Sequence, residues 1–172
     1  RVIVKQLKEI LYKVSIESIL GTTDGLVSEI AFDSRKVVKD ALFFAISGIQ
    51  IDGHRFIDKV IGLGAKYIIC ERLPENIQQE VVYINVKDTK EALGLIAANF
   101  YDNPSEELNL IGITGTNGKT TVATLLYELF ESENQPSGLI STLDIKYGKV
   151  NITATHTTPD SMTINKCLSE MI

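Results

Sequence analysis

Leu108-Asn109-Leu110-Ile111-Gly112-Ile113-Thr114-Gly115-Thr116-Asn117-Gly118-Lys119-Thr120-Thr121-Val122 runs from an apolar stretch through a glycine-bearing turn into a lysine and two threonines. Residues 108–114 read as an apolar strand, and Val122, Leu125, Leu126, Leu129 and Phe130 then recur at helical spacing. Strand, turn and helix in that order suit a phosphate loop. Gly115 and Gly118 permit backbone turns that aim several N–H groups inward. The helix directs its positive end at the anion. Lys119 can reach β- and γ-phosphate oxygens, and the Thr120 hydroxyl can ligate Mg2+. The common spacing would put glycine at position 113, which is Ile113 here; Gly112 lies one place earlier. The Gly-Lys-Thr run and its context are kept. The plainer alternative is a glycine-rich turn with an exposed lysine.

Working outward, 172 residues suit one large domain or two small ones. Hydrophobic residues make up 44% and charged residues 23%, which argues against a disordered or fibrous chain. The net charge of −5, with no basic stripe, disfavours a nucleic-acid footprint but leaves room for one basic pocket. No apolar run approaches the roughly 18–20 residues that span a bilayer, so no membrane insertion is expected. The opening Arg1-Val2-Ile3-Val4-Lys5 lacks the apolar core of a signal peptide. Cys70 and Cys167 have no metal-ligand spacing and read as reduced thiols of a cytoplasmic protein. The absence of an initiator Met, and an end inside an apparent helix at Ser169-Glu170-Met171-Ile172, lead us to expect a piece of a longer protein.

Upstream, residues 4–14 carry Leu7, Ile10, Leu11 and Val14 at helical spacing. Residues 29–32 and 42–46 read as short strands. Asp52 is placed to cap a helix that buries Phe56, Ile57, Val60, Ile61 and Leu63 and ends at Gly64. Strands follow at 67–70 and 81–86, then a helix over 89–101 stopped by Asp102-Asn103-Pro104. Strands alternating with helices predict a small mixed α/β domain over 1–88. A connecting helix and linker occupy 89–108; the helix suits either neighbour. The first part of a phosphate-loop α/β domain with a mostly parallel sheet fills 109–172. Within it, residues 138–140 read as a strand, 144–155 as a hairpin around Tyr147-Gly148-Lys149, and the segment from Pro159 and Asp160 as a last helix.

The run 112–121 closely resembles the ATP loop of the Mur ligase family. So do Asp33-Ser34-Arg35-Lys36-Val37, Asp40-Ala41-Leu42-Phe43-Phe44-Ala45-Ile46-Ser47-Gly48 and Asp52-Gly53-His54-Arg55-Phe56-Ile57 resemble that family's N-terminal UDP-sugar-binding domain, and Thr157-Thr158-Pro159 a downstream signature. One turn departs: Asp40-Ala41 stands where the family usually has Gly-Asp. The resemblance implies an ATP-dependent, amide-forming ligase of peptidoglycan precursor synthesis. It would add the third amino acid, diaminopimelate or L-lysine, to UDP-N-acetylmuramoyl-L-alanyl-D-glutamate through an acyl phosphate. ATP and Mg2+ are the implied cofactors. The UDP-linked dipeptide and an amino acid are the implied partners, the chain being a monomer and this piece alone inactive. The alternatives are the member that adds D-Ala-D-Ala and a phosphate-loop binding module without ligation.

The same resemblance assigns roles by position. Lys119 would act on the transferring phosphate and Thr120 on the metal. Gly115, Thr116, Asn117, Gly118, Lys119, Thr120 and Thr121 would hold the nucleotide. Phe32 and Ser34 would contact uracil, Ile49, Gln50 and Ile51 the uridine or diphosphate, and Thr157 and Thr158 the peptide end. Plainer readings compete: Ser34 as a turn residue, Thr157 and Thr158 as caps of the last helix, His54 as a structural histidine and Asp33–Arg35 as a local ion pair. Asp102-Asn103-Pro104 reads as a linker turn.

Overall fold

The computed structural model describes residues 3–48, 51–153 and 159–172, which fall into two compact units, Arg1–Tyr101 and Asp102–Ile172. The first opens with β1 (Lys5–Gln6), α1 (Leu7–Ile10), β2 (Ile16–Leu20), β3 (Leu26–Val27), β4 (Ile30–Ala31) and β5 (Leu42–Phe44). A 3-10 turn, Gly53–Phe56, leads into α2 (Ile57–Gly62), followed by β6 (Tyr67–Cys70), β7 (Val82–Val86) and α3 (Thr89–Phe100). Strands β4, β5, β6 and β7 pair in parallel, in sequence order, and β2 adds to β7 antiparallel. A parallel sheet must be covered on both faces, so its strands are apolar almost throughout rather than alternating. All of Leu42–Phe44 and Tyr67–Cys70 is buried. One core joins Phe43, Ile68 and Tyr83 to Ile57 and Val60 of α2. The alternate residues Phe44, Ile69 and Ile84 are equally buried and point the other way.

Helix α3 belongs to this first unit. Its buried stripe is Ala92, Leu93, Ile96, Ala97 and Phe100. The Asp88 carboxylate caps it, accepting from Lys90 N at 2.8 Å and Glu91 N at 3.0 Å. Asn99 ties it to the N-terminal segment, donating to the carbonyls of Ile10 (3.0 Å) and Tyr12 (2.7 Å). The chain leaves the helical path at Lys13, whose φ is +61°. The helix expected over 4–14 is accordingly cut to the single turn of α1. Strand β2, unforeseen in the sequence, follows.

The second unit contains α4 (Lys119–Ser132), β8 (Gly138–Ile140), β9 (Asp144–Tyr147), β10 (Val150–Thr153) and α5 (Ser161–Met171). Strands β8, β9 and β10 form an antiparallel sheet, with a two-residue turn at Gly148-Lys149 between β9 and β10. Asp160 caps α5 through Thr163 N at 2.9 Å. Cys167 of α5 packs with Ile145 and Tyr147 of β9, and the Tyr147 hydroxyl donates to Glu170. The parallel pairing expected of an α/β chain thus lies in the first unit. Residues 108–114, expected as a strand, form no strand ladder, and Leu110 and Ile111 are exposed. A strand exists only with a partner, and a parallel partner arrives by a long crossover; among the described residues of this unit the later strands pair with one another. No helix among the described residues is long and apolar enough to cross a membrane.

Candidate functional site

The loop from Gly115 to Gly118 takes the backbone course that only glycine adopts readily: φ is +151° at Gly115 and +77° at Gly118. Gly118 is the N-cap of α4 and supplies no side chain to close the helix end. The first intrahelical bond of the cap runs from Val122 N to Gly118 O at 2.9 Å. The N–H groups of the first turn therefore open toward the loop. Lys119 folds back over it, its ammonium donating to the carbonyl of Gly115 at 2.6 Å and reaching Thr116 O at 3.5 Å. A cation, a helix N-terminus and glycines with no Cβ make a cradle for a phosphate chain. Thr116, Asn117 and Thr121 line it and are exposed, while Thr120 is half-buried, 3.1 Å from Thr142 Oγ1 through its hydroxyl. Among the described residues no three His, Cys, Asp or Glu side chains gather into a metal cluster. The Thr120 hydroxyl suits a hard cation that brings phosphate oxygens and water as its other ligands.

In the first unit, β4 and β5 run parallel in register, Ala31 beside Phe43, so the segments that follow them leave the same edge of the sheet. Those segments hold Phe32 and Ser34 on one side, and Ser47 to Ile51 on the other. The crevice outside the carboxyl ends of parallel strands is where open α/β sheets receive ligands. Phe32 is exposed and Ser34 half-buried. Beside them, Arg35 bends back on Asp33, its Nε donating at 3.0 Å and its Nη2 at 2.8 Å. Those hydrogen bonds, with that from Arg35 N, hold the Asp33 carboxyl well below the usual carboxylate range. The pair shapes the turn. Ile51 is exposed and accepts from Gly48 N at 3.1 Å. Ile49, Gln50, Thr157 and Thr158 lie outside the described residues.

One group at this edge escaped the sequence reading. Glu71, just past β6, accepts from Thr89 N (3.0 Å), Thr89 Oγ1 (2.8 Å) and Ser47 Oγ (2.9 Å). Burial pushes its carboxyl up, but these donors outweigh burial and hold it below its ordinary value. A lone glutamate after a strand carries no sequence signal for that role. His54 and Cys70 are settled more simply. His54 is engaged by Asp52 and Glu71, and burial pushes the Cys70 thiol up to about 11, leaving it protonated and inert.

Residues 26–101 match the family model described as Mur ligase family, catalytic domain, and residues 113–172 match the Mur ligase middle domain. The chain belongs to the Mur ligase family. This Mur ligase chain is 50% identical over 168 residues to a protein of Cytophaga hutchinsonii named UDP-N-acetylmuramoyl-L-alanyl-D-glutamate--2,6-diaminopimelate ligase, covering 97% of this chain and 35% of that protein. It is 42% identical over 166 residues to the protein of the same name from Phocaeicola vulgatus, covering 96% of this chain and 34% of that one. The chain therefore spans about a third of the length of these curated relatives. A solved structure of a ligase with that name superposes with a TM-score of 0.70 at 22% identity over 97% of this chain and 33% of its own. A MurF structure from Acinetobacter baumannii gives 0.65 at 22% identity over 98% of this chain and 33% of its own. At that identity the two structures speak for the fold alone.

Proposed function

We propose that this chain supplies the substrate-anchoring and nucleotide-holding parts of an ATP-dependent ligase that adds the third amino acid to UDP-N-acetylmuramoyl-L-alanyl-D-glutamate. The reaction joins a carboxylate to an amine: the carboxylate takes the γ-phosphoryl group of ATP and ADP leaves, the amine attacks the acyl carbon, and phosphate leaves as the amide forms and the nitrogen gives up a proton. The observation that carries the reading is the Lys119 ammonium lying 2.6 Å from the Gly115 carbonyl, over a glycine loop that opens onto the first turn of α4. ATP supplies the activating phosphoryl group, and Mg2+ offsets the charge of its oxygens.

The chain's own residues do the rest. Backbone N–H groups of Gly115 to Thr121 hold phosphate oxygens, Lys119 follows the transferring phosphoryl group, and the Thr120 hydroxyl binds the metal. Phe32 and Ser34, with Ile49, Gln50 and Ile51, hold the uridine diphosphate end. Thr157 and Thr158 steady the peptide end. A UDP-linked substrate is long, and only its far carboxylate must meet the γ-phosphate. Anchoring the base in one domain can therefore help to position the reacting group in another. We place the boundary between the two roles in the stretch 89–108. The sharing of a name by relatives at 50% and 42% identity supports diaminopimelate as the amino acid added. Absence of a membrane-crossing helix among the described residues accords with a cytoplasmic enzyme acting on a soluble UDP-linked substrate.

Isothermal titration with each ligand separately tests the division. Ser34→Ala is expected to weaken the UDP-linked dipeptide by about 0.5–1.5 kcal/mol, the net worth of one hydrogen bond, and to leave Mg2+-nucleotide affinity unchanged. Loss of nucleotide affinity alone, or equal loss of both, would put Ser34 in the wrong site.

A further inference from the structure

A chain of hydrogen bonds crosses the carboxyl ends of β5, β6 and β7. Asp52 Oδ1 accepts from His54 N at 3.0 Å and lies 2.7 Å from His54 Nδ1. The other ring nitrogen, Nε2, accepts from Glu71 N at 2.9 Å and Arg72 N at 3.3 Å. The Arg72 guanidinium closes the circuit on Asp52 Oδ2, while Glu71 binds Ser47 and Thr89. A backbone N–H can only donate, so Nε2 must be bare, and the ring is neutral with its proton on Nδ1, given to Asp52. The His54 side chain is only 9% exposed, so the ring exchanges few of these partners for water.

The same ring sits at the root of the loop between Ser47 and Asp52. Those two residues form an antiparallel bridge, and Gly53 N donates to Ile46 O at 2.8 Å. Gly53 permits this approach because a Cβ there would meet Ile46 N at 2.7 Å. The two carboxylates nearest the loop are both occupied by donors, Asp52 by His54 and Arg72, Glu71 by Ser47 and Thr89. Asp52 is paired with the Arg72 guanidinium, whereas Glu71 keeps its charge among neutral donors.

We infer that His54 is a positioning residue for the nucleoside-diphosphate end of the substrate, holding Asp52 with one ring nitrogen and the Glu71 backbone with the other so that the bridged pair Ser47 and Asp52 is clamped to the end of β6. The inference rests on the reading of the first unit as the UDP-substrate anchor. Histidine is suited to the task because its two nitrogens, on opposite sides of one rigid ring, serve a donor and an acceptor at once.

The test is titration of the protein and its variants with the UDP-linked dipeptide and, separately, with Mg2+ and ADP. His54→Gln carries an amide oxygen that reaches the Nε2 position and is expected to stay within about threefold of the natural affinity. His54→Asn, which reaches only Asp52, and His54→Ala are expected to weaken the UDP-linked ligand about 5- to 10-fold. None should change ADP affinity. The 15N spectrum of the unmodified protein should show His54 with Nδ1 protonated and Nε2 bare, a readout independent of whether any variant folds. Equal affinity in all three variants, parallel loss of both ligands, or a protonated Nε2 would overturn the inference. A natural protein that binds the UDP ligand, weakened by Ser34→Ala but not by the His54 variants, would overturn the inference alone. Failure of the natural protein to bind the UDP ligand would overturn the anchor reading, and the inference with it.

Discussion

Two glycine-bearing loops serve the proposed chemistry, and they are supported in opposite ways. The loop between Ser47 and Asp52 follows the fully buried strand β5, and its two ends are held by the side chains of Glu71 and His54. The loop from Gly115 to Gly118 leads into a helix with no buried residue, and Val122, Leu125 and Leu129 of that helix are exposed. The phosphate loop nonetheless has its positive φ angles and its folded-back lysine. Its shape comes from local covalent preference, two glycines and a helix start, whereas the two ends of the first loop, Ser47 and Asp52, are held by tertiary contact.

The sharpest way to break that comparison is to empty the core beneath the first loop. Phe43→Ala, at a side chain 1% exposed between β4 and β6, should cost the first unit about 3–5 kcal/mol in denaturant unfolding. A loss below about 1 kcal/mol would mean that this sheet is not the support described. Next in size, Lys119→Ala in the intact enzyme should slow ligation more than about 10²-fold, since a cation aimed at a transferring phosphate acts mainly in the transition state. Near-normal turnover would refute the role of the phosphate loop.

Thr89→Val keeps the buried shape but deletes the hydroxyl that Glu71 accepts, and should destabilise the first unit by about 1.5 kcal/mol, the low end for a hydrogen bond to a charged group. Acid should act through the same network. The backbone N–H of His54, chiefly, lowers the Asp52 carboxyl, and Glu71 is lowered against its own burial. A carboxyl depressed by folding stabilises the fold above its unfolded value and loses that contribution as pH falls through the folded one. Unfolding midpoints of the first unit should therefore drop as pH falls below about 4, the ordinary carboxylate range; a flat profile there would show that the network contributes nothing. The smallest expected effect is Leu125→Ala, 60% exposed on α4, which should shift stability by no more than about 0.5 kcal/mol in the same denaturant titration.

How far the sequence could be read follows the same division. Apolar runs such as Tyr67-Ile68-Ile69-Cys70, the capping residue Asp52 and the helix start at Asp160 have local physical causes, and the elements they mark lie where the pattern puts them, although Leu63, expected on the buried face of α2, is exposed just past its end. Strand β2 did not show itself, because Ile16-Glu17-Ser18-Ile19-Leu20 is a largely exposed edge with a register shift against β7. The stretch 108–114 looked like a strand because apolar composition reports a preference for burial, not the presence of a partner.

The order of glycine, lysine and threonine from 115 to 120 determined the backbone turn into α4 by itself, because backbone freedom and helix polarity are properties of neighbouring residues. Only the tertiary structure decided that Ser34 and the loop after Ser47 leave one edge of a sheet, and that His54 meets Glu71. Parallel pairing of β4, β5 and β6 brings together residues far apart in the chain, and no local preference encodes the partner that a hydrogen bond finds across such a distance.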